Sequence, residues 1–371
     1  MATVEIHHLV KRFSGGRRGA DTLAVNDVSL TIADGEFLVL LGPSGCGKTT
    51  TLRCVAGLER QTAGDIYIGA RVVNDLPPAE RDIAFVFQFY ALYPHLTAFD
   101  NIAFPLRAQG LPRREVVARV RQVAATLRID HLLDRRPQRL SAGEQQRVAL
   151  GRAMVRQPRL FLMDKPLTNL DFKLRVEMHT ELKHLHRDLK ATFFYVTNDQ
   201  VEAMTMTDRI AILNRSELQQ VGPPEDVYDH PANLFVASFV GSPRMNFLPC
   251  ALIAEGGHRL RSVDGVWEIP IAARLAEATA PCQELTLGVR PEDIALFRER
   301  RPGTLRGAVY VSEPLSDRTI VDVKLGEAIV KVKAPPTFVV EPGQPLWLEF
   351  AADRLHLFDR SGARVEMGGR Q

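Results

Sequence analysis

Short unbroken apolar runs recur along the first part of the chain, each bounded by turn-forming or charged residues. They are Phe37-Leu38-Val39-Leu40-Leu41, Ile83-Ala84-Phe85-Val86-Phe87, Leu160-Phe161-Leu162-Met163 before Asp164, Thr192-Phe193-Phe194-Tyr195-Val196-Thr197, and Arg209-Ile210-Ala211-Ile212-Leu213. Runs of this length predict buried strands. Ahead of them, Val28, Leu30 and Ile32 alternate up to the turn Ala33-Asp34-Gly35, so 4–32 holds strand-like pieces around a flexible Ser14–Gly19 loop. Gly64-Asp65-Ile66-Tyr67-Ile68-Gly69 reads as a hairpin. From about 98 to 156 the period becomes helical: Pro112 opens a segment with Val116, Val120, Val123 and Leu127 on one face, and Pro137 closes it. Another helix follows Asp171, with Leu174, Met178, Leu182, Leu185 and Leu189 as its stripe.

After about residue 240 the pattern changes to short alternating runs: Leu285/Leu287/Val289, Val321/Val323/Leu325, Val330/Val332 and Leu346/Leu348/Phe350. An α/β domain over 1–235, with a helical subdomain at about 98–156, is therefore expected to precede an all-β domain over 236–371. A length of 371 residues suits two or three domains, and 45% hydrophobic with 25% charged residues is ordinary globular composition. A net charge of +3 is too small to argue for nucleic acid or a membrane surface. No apolar run is long enough to cross a bilayer, and Met1-Ala2-Thr3-Val4-Glu5 has no signal-peptide pattern. Cys46, Cys54, Cys250 and Cys282 form no C-x-x-C pair and read as reduced thiols, so a cytoplasmic location is expected.

The first buried run ends at Gly42-Pro43-Ser44-Gly45-Cys46-Gly47-Lys48-Thr49, which fits G-x-x-x-x-G-K-[ST] in its required place between strand and helix. Glycines let the backbone N–H groups turn inward, and with the positive end of the next helix they cradle a triphosphate. Lys48 then reaches the β- and γ-phosphates and Thr49 ligates Mg²⁺. The plain alternative is a glycine-rich turn that starts a helix. Asp164, at the end of an apolar strand, reads alone as a solvated cap; behind a phosphate loop it reads as a second Mg²⁺ ligand. Ser141 and Glu144 are spaced as a capping box. The helix they start also presents Ser141 and the Gly143 N–H to an anion.

The order phosphate loop, Gln88, Leu140-Ser141-Ala142-Gly143-Glu144, Asp164, Asn169-Leu170-Asp171, Tyr195-Val196-Thr197 resembles an ABC-transporter ATPase subunit, most closely those of maltose, sugar and glycerol-3-phosphate importers. Phe235–Pro243, Gly288-Val289-Arg290-Pro291-Glu292 and Leu355-His356-Leu357-Phe358-Asp359 are similar to that subfamily's C-terminal TOBE-type regulatory domain. The resemblance implies a P-loop NTPase with a RecA-like core and helical subdomain, followed by an OB-like β domain. It implies ATP and Mg²⁺ as cofactors, with Phe13 stacked on adenine. Gly42, Pro43, Ser44, Gly45, Cys46, Gly47, Lys48, Thr49 and Thr50 would surround the phosphates, and Thr49, Gln88 and Asp164 the metal. Ser141, Gly143 and Glu144 would face a second subunit's nucleotide, and Asp171 would couple the two sites. Implied partners are two transmembrane permease subunits, a second ATPase subunit (itself or a paralogue) and, indirectly, a solute-binding protein. No nucleic acid is implied, and the place is the cytoplasmic face of the cell membrane. Of the aromatics Phe85, Phe87, Phe89, Tyr90 and Tyr93, most are expected in the core and some in a groove for a permease helix.

Two positions depart from the family's catalytic pattern. Lys165 stands where the family has a water-polarising glutamate, and Asn198 where it has a histidine on the γ-phosphate. An ammonium donates but does not accept, so it cannot take a water proton, and losing a general base costs about 10²–10⁴-fold. Ala142 and Glu144 replace the family's glycine and glutamine, while Ser141 and Gly143 survive. These departures fit the degenerate half of a heterodimer, a weakly active homodimer, or an altered or decayed chain. They also fit an ATP-binding regulator that does not hydrolyse. The transported solute is not written in this chain.

Overall fold

In unit Met1–Glu225 the run Phe37–Leu41 is an interior parallel strand, third from one edge of a six-stranded sheet, and its place follows from having no polar face to expose. The computed structural model describes residues 2–15, 20–168, 170, 172–253, 258–279 and 284–365. In chain order this unit contains β1 (Val4–Phe13), β2 (Thr22–Ile32), β3 (Phe37–Leu41), α1 (Lys48–Ala56), β4 (Ala63–Ile68) and β5 (Arg71–Val72). Then come β6 (Ile83–Val86), α2 (Ala98–Ala108), α3 (Arg113–Thr126), α4 (Ala142–Met154), β7 (Leu160–Asp164) and α5 (Phe172–Leu189). Last are β8 (Thr192–Thr197), α6 (Gln200–Met206), β9 (Arg209–Asn214) and β10 (Glu217–Gly222).

The six-stranded sheet runs β10-β9-β3-β8-β7-β6, with β10 antiparallel and the rest parallel. Leu38 and Leu40 point into a core shared with Leu52, Cys54 and Val55 of α1 and with Val4, Ile6 and Leu30 of the antiparallel sheet β2-β1-β4-β5. On the opposite face Phe37, Phe161 and Phe193 pack ring to ring, Phe161 and Phe193 with centroids 4.8 Å apart, beside His186 of α5. Each fully buried side chain of this kind stabilises by about 1.5–3 kcal/mol, so the two-sided burial of β3 fixes its register. The strand register sets the site. Leu41 pairs with Thr197, Asp164 with Val196, and Val86 with Met163. Gly42, Asn198, Lys165 and Phe87 are thus the first residues beyond the carboxyl ends of four adjacent strands, where open α/β sheets hold their ligands.

The helical stretch resolves into α2, α3 and α4, with Val116, Val120, Ala124 and Leu127 buried. Val123 is only half-buried, because Ala124 takes the inward position. On α5 the buried stripe is Met178, Leu182 and Leu185; Leu189, expected to continue it, is exposed in the last turn.

The second unit is Asp226–Gln371. The division falls ahead of the expected boundary at 235/236; within the second unit the helix Leu234–Phe239 is tied by Leu234 N–H donating to Gly362 O at 2.8 Å. Its two antiparallel five-stranded sheets enclose a core of Leu248, Leu260, Trp267, Leu287, Val321, Val332, Leu346 and Leu348. A helix at Ala273–Thr279 interrupts the strands and had no counterpart in the alternating pattern.

Candidate functional site

The loop after β3 is held open by two glycines that no other residue can replace without displacement. A Cβ on Gly42 would lie 2.2 Å from the Leu213 carbonyl oxygen of β9. A Cβ on Gly47, whose φ is 105°, would lie 2.2 Å from the Ala24 carbonyl oxygen of β2. Gly45 adopts φ 80° in open space, so there the need is purely conformational. Gly47 is the N-cap of α1 and has no side chain to cap it, so the first-turn N–H groups face the loop as donors. That is a cradle for an anion.

Lys48 is buried, and its ammonium donates to the Gly42 and Pro43 carbonyls, both at 2.8 Å, with Cys46 Sγ at 3.6 Å. Burial lowers its pKa; the Cys46 side chain opposes that shift and the charge of Lys165 adds to it. Thr49 Oγ1 donates to Asp164 Oδ1 at 2.9 Å, joining α1 to the end of β7 across 115 residues of sequence. Asn198 Nδ2 donates to Ser44 Oγ at 3.2 Å, so the tip of β8 also touches the loop. Lys165 has φ 45°, and its N–H donates to Val196 O at 2.9 Å. The structure therefore brings Ser44, Lys48, Thr49, Asp164, Lys165 and Asn198 to one place. Thr50 follows half-buried in the same helical turn.

The oxygens of Thr49 and Asp164 are hard donors of the kind Mg²⁺ takes, and Asp164 is buried with lone pairs to spare. No cluster of three or more His, Cys, Asp or Glu occurs among the described residues. That suits a metal ligated largely by phosphate and water rather than by a protein cage.

Gln88 is half-buried, two residues beyond β6 and beside the end of β7. The residues after it form a loop whose anchors were not foreseen. Arg152 of α4 donates to Ala91 O at 2.7 Å and Tyr90 O at 3.0 Å, holding two residues with positive φ. Asn101 of α2, fully buried, accepts from Tyr93 N–H and donates to the carbonyls of Tyr93, Leu96 and Thr97. The available signal was a polar residue on the buried face of each helix. Of the aromatics here Phe85 packs, half-buried, against the core, and Tyr90 and Tyr93 are also half-buried, whereas Phe87 is exposed and Phe89 is 76% exposed. Phe87 and Phe89 lie beyond the end of β6, where no sheet neighbour covers them.

Ser141, Gly143 and Glu144 start α4 and engage one another rather than the loop. Ser141 N–H donates to Glu144 Oε2 at 2.7 Å and Glu144 N–H to Ser141 Oγ at 3.4 Å, a complete capping box. The Ser141 N–H, together with burial-opposed contributions from nearby cations, holds the Glu144 carboxyl below the usual range. A Cβ on Gly143 would meet Leu174 Cδ2 at 2.3 Å. Phe13 ends β1 partly exposed, with Lys11 Nζ 4.5 Å from its ring centre. Asp171 lies outside the described residues. A second unforeseen element is Arg175, which donates to Leu170 O at 3.0 Å and Asp199 Oδ2 at 3.3 Å, while Asp199 caps α6 directly after Asn198.

Residues 25–168 match the family model described as ABC transporter, 241–294 that of the MalK OB fold domain, and 287–358 that of the TOBE domain. The chain is 49% identical over 362 residues to the trehalose/maltose import ATP-binding protein MalK of Thermococcus litoralis, covering 93% of this chain and 96% of that protein. It is 45% identical over 380 residues to the sn-glycerol-3-phosphate import ATP-binding protein UgpC of Ralstonia nicotianae, covering 98% of each. It is 46% identical over 366 residues to the sulfoquinovosyl glycerol transport ATP-binding protein SmoE of Agrobacterium fabrum, covering 98% and 99%. Among solved structures, the ATP-binding cassette MJ0796, a dimer in a post-hydrolysis state bound to ADP and Pi, superposes with a TM-score of 0.55 at 32% identity. It covers 60% of this chain and 98% of that one.

Proposed function

Because this chain belongs to the ABC transporter family, as an ATP-binding subunit of the sugar and glycerol-3-phosphate importer type, we propose that it binds Mg-ATP at the Gly42–Thr49 loop and turns it over slowly. The observation that carries the slow step is Lys165 at the end of β7, next to Asp164 and beside the Asn198–Ser44 contact. The α1 N–H groups and Lys48 hold phosphate charge. Thr49, Asp164 and Gln88 would hold Mg²⁺, which would supply positive charge to offset that of the phosphates. Neither Lys165 nor Asn198 accepts a proton from an attacking water as a carboxylate or imidazole does.

A partner completes the cycle. The loop side of this chain has lost both catalytic groups, whereas the Ser141 side, although Ala142 and Glu144 are changed there, keeps Ser141 and Gly143 to face another subunit's nucleotide. That asymmetry favours pairing with a paralogue that has the full set of groups. The pair drives two permease subunits that import a carbohydrate, polyol or glycerol 3-phosphate. Exposed Phe87 and Phe89, in the stretch that holds Gln88, are offered to a permease helix. The relatives are import ATP-binding proteins, which supports a peripheral place on the cytoplasmic face; no helix among the described residues is long and apolar enough to cross a membrane. Phe13 stacks on the adenine, and Asp171 couples the paired sites.

Calorimetry with Mg-ATP and a steady-state ATPase assay on the purified chain test this. Saturable binding with turnover well below the ordinary enzyme range of about 1–10³ s⁻¹ is expected. Turnover within that range by the chain alone overturns the slow site, and no saturable binding overturns the nucleotide assignment.

A further inference from the structure

The helix that starts at the phosphate loop is fastened at its far end by a buried cation, Arg81. α1 ends at Ala56, and Gly57 closes it with φ 73°. The carbonyls of Cys54 and Val55, in its last turn, accept from Arg81 Nη1 at 2.9 and 2.8 Å. Arg81 Nε donates to Leu76 O at 2.9 Å and Nη2 to Asn74 O at 3.4 Å. Arg81 is buried, and a cation is favourably placed there because the last carbonyls of a helix carry partial negative charge. Gly57 leaves it room: a Cβ on that residue would lie 2.5 Å from Arg81 Nε. A cap for α1 alone needs only the Cys54 and Val55 carbonyls. The same guanidinium also grips the chain at 74–76, and Arg81 itself lies two residues ahead of β6, the strand that leads to Gln88. β6 pairs with β7 up to Val86 and Met163, and the next residue of β7, Asp164, accepts from Thr49 at the start of α1. Both ends of α1 are thus tied to one pair of strands, the first turn through Asp164 and the last through Arg81.

We propose that Arg81 is a positioning residue for the triphosphate site: it holds the far end of α1 to the start of β6, so that the Gly42–Thr49 loop and Gln88 keep one spacing and respond together to nucleotide. The inference rests on the loop being a triphosphate site. A helix is stiff along its axis, so a slip of about 1 Å at the last turn of α1 arrives at the first turn, and a misplacement of that size costs about 10²-fold where reacting groups must be aligned. The guanidinium suits the task better than a plain charge. A lysine ammonium concentrates its donors on one nitrogen, instead of the fork that reaches α1 through Nη1 and Leu76 through Nε.

Calorimetry with Mg-ATP, thermal unfolding and hydrogen exchange test this on the full chain, unsubstituted and as Arg81→Gln and Arg81→Lys. In the unsubstituted chain, saturating Mg-ATP should slow exchange over both 42–56 and 88–97. In Arg81→Gln, measured below its unfolding transition, Mg-ATP affinity should fall at least about tenfold and the slowing over 88–97 should disappear. Arg81→Lys, which keeps the charge at the helix end, should lose that slowing too, and stands in if Arg81→Gln does not fold. A variant that melts earlier yet binds Mg-ATP as tightly as the unsubstituted chain, or keeps the slowing over 88–97, reduces Arg81 to a helix cap and overturns the proposal. So does Mg-ATP binding by the unsubstituted chain with no change over 88–97. These results leave the triphosphate site standing, whereas no saturable binding by the unsubstituted chain overturns the site and the proposal together.

Discussion

At the scale of single residues, the site is decided by which atoms have room. Gly42 and Gly47 each face a backbone carbonyl at a distance no Cβ tolerates, whereas Gly45 faces nothing. Gly42→Ala should therefore push the loop away from Leu213, lower the thermal stability by about 1–3 kcal/mol and weaken nucleotide binding at least tenfold. Differential scanning fluorimetry and calorimetry on the same variant measure both effects. An alanine at 42 that binds normally would mean the loop is not held against β9. The sequence pattern marked these glycines correctly, because the motif itself encodes the tight turn. It could not reveal Leu213 or Ala24, since both contribute only backbone oxygen and any side chain would serve.

Elements carry the next layer. The Gln88 loop has little regular hydrogen bonding of its own, and its shape comes from one side chain on each of two helices, Arg152 of α4 and Asn101 of α2. Because Ser141 starts the same α4 that carries Arg152, the start of that helix and the Gln88 loop are joined by a rigid lever. Arg152→Ala should leave the carbonyls of Tyr90 and Ala91 without these donors and release the loop, at a cost of about 1–3 kcal/mol. Hydrogen exchange over 88–97 should then accelerate while β3 and β7 stay protected; unchanged exchange in the loop would remove Arg152 from that role. Ser141→Ala should cost about 1 kcal/mol through the lost cap. The Glu144 carboxyl, depressed by the Ser141 N–H, contributes to the helix start above the usual glutamate range. That contribution disappears as pH falls through the depressed value, a titration that side-chain NMR follows directly. The capping box was legible from its spacing, and so were the buried strands, whose apolar runs have no other stable place. The Gln88 loop was not legible, because its anchors lie on helices distant in sequence.

For the molecule as a whole, the two units are built from different patterns, and each can be followed separately. Both tryptophans, Trp267 and Trp347, belong to the second unit, so their fluorescence reports its unfolding alone. His356 in that unit is buried, its Nδ1 has no hydrogen-bond partner, and its pKa falls to about 4 through burial and then the charges of Arg364 and Arg290. On acidification the unfolded chain takes up this proton near 6.5 and the folded one only near 4. The unit therefore has its full stability above that window and loses on the order of 3 kcal/mol as pH falls across it. In His356→Gln, denaturant midpoints followed by tryptophan fluorescence should depend less on pH between those limits; an unchanged acid limb would exclude His356 as its source. The class of both units, and the family, could be read from the chain. The helix Ala273–Thr279 could not, because a short insertion between strands leaves no periodicity to detect. The most direct test of the central claim is steady-state ATPase of the purified Lys165→Glu/Asn198→His variant beside the unsubstituted chain. Restoring a proton acceptor at the end of β7 and an imidazole at the end of β8 should raise turnover by at least about 10²-fold. Equal turnover in the two proteins would contradict the account.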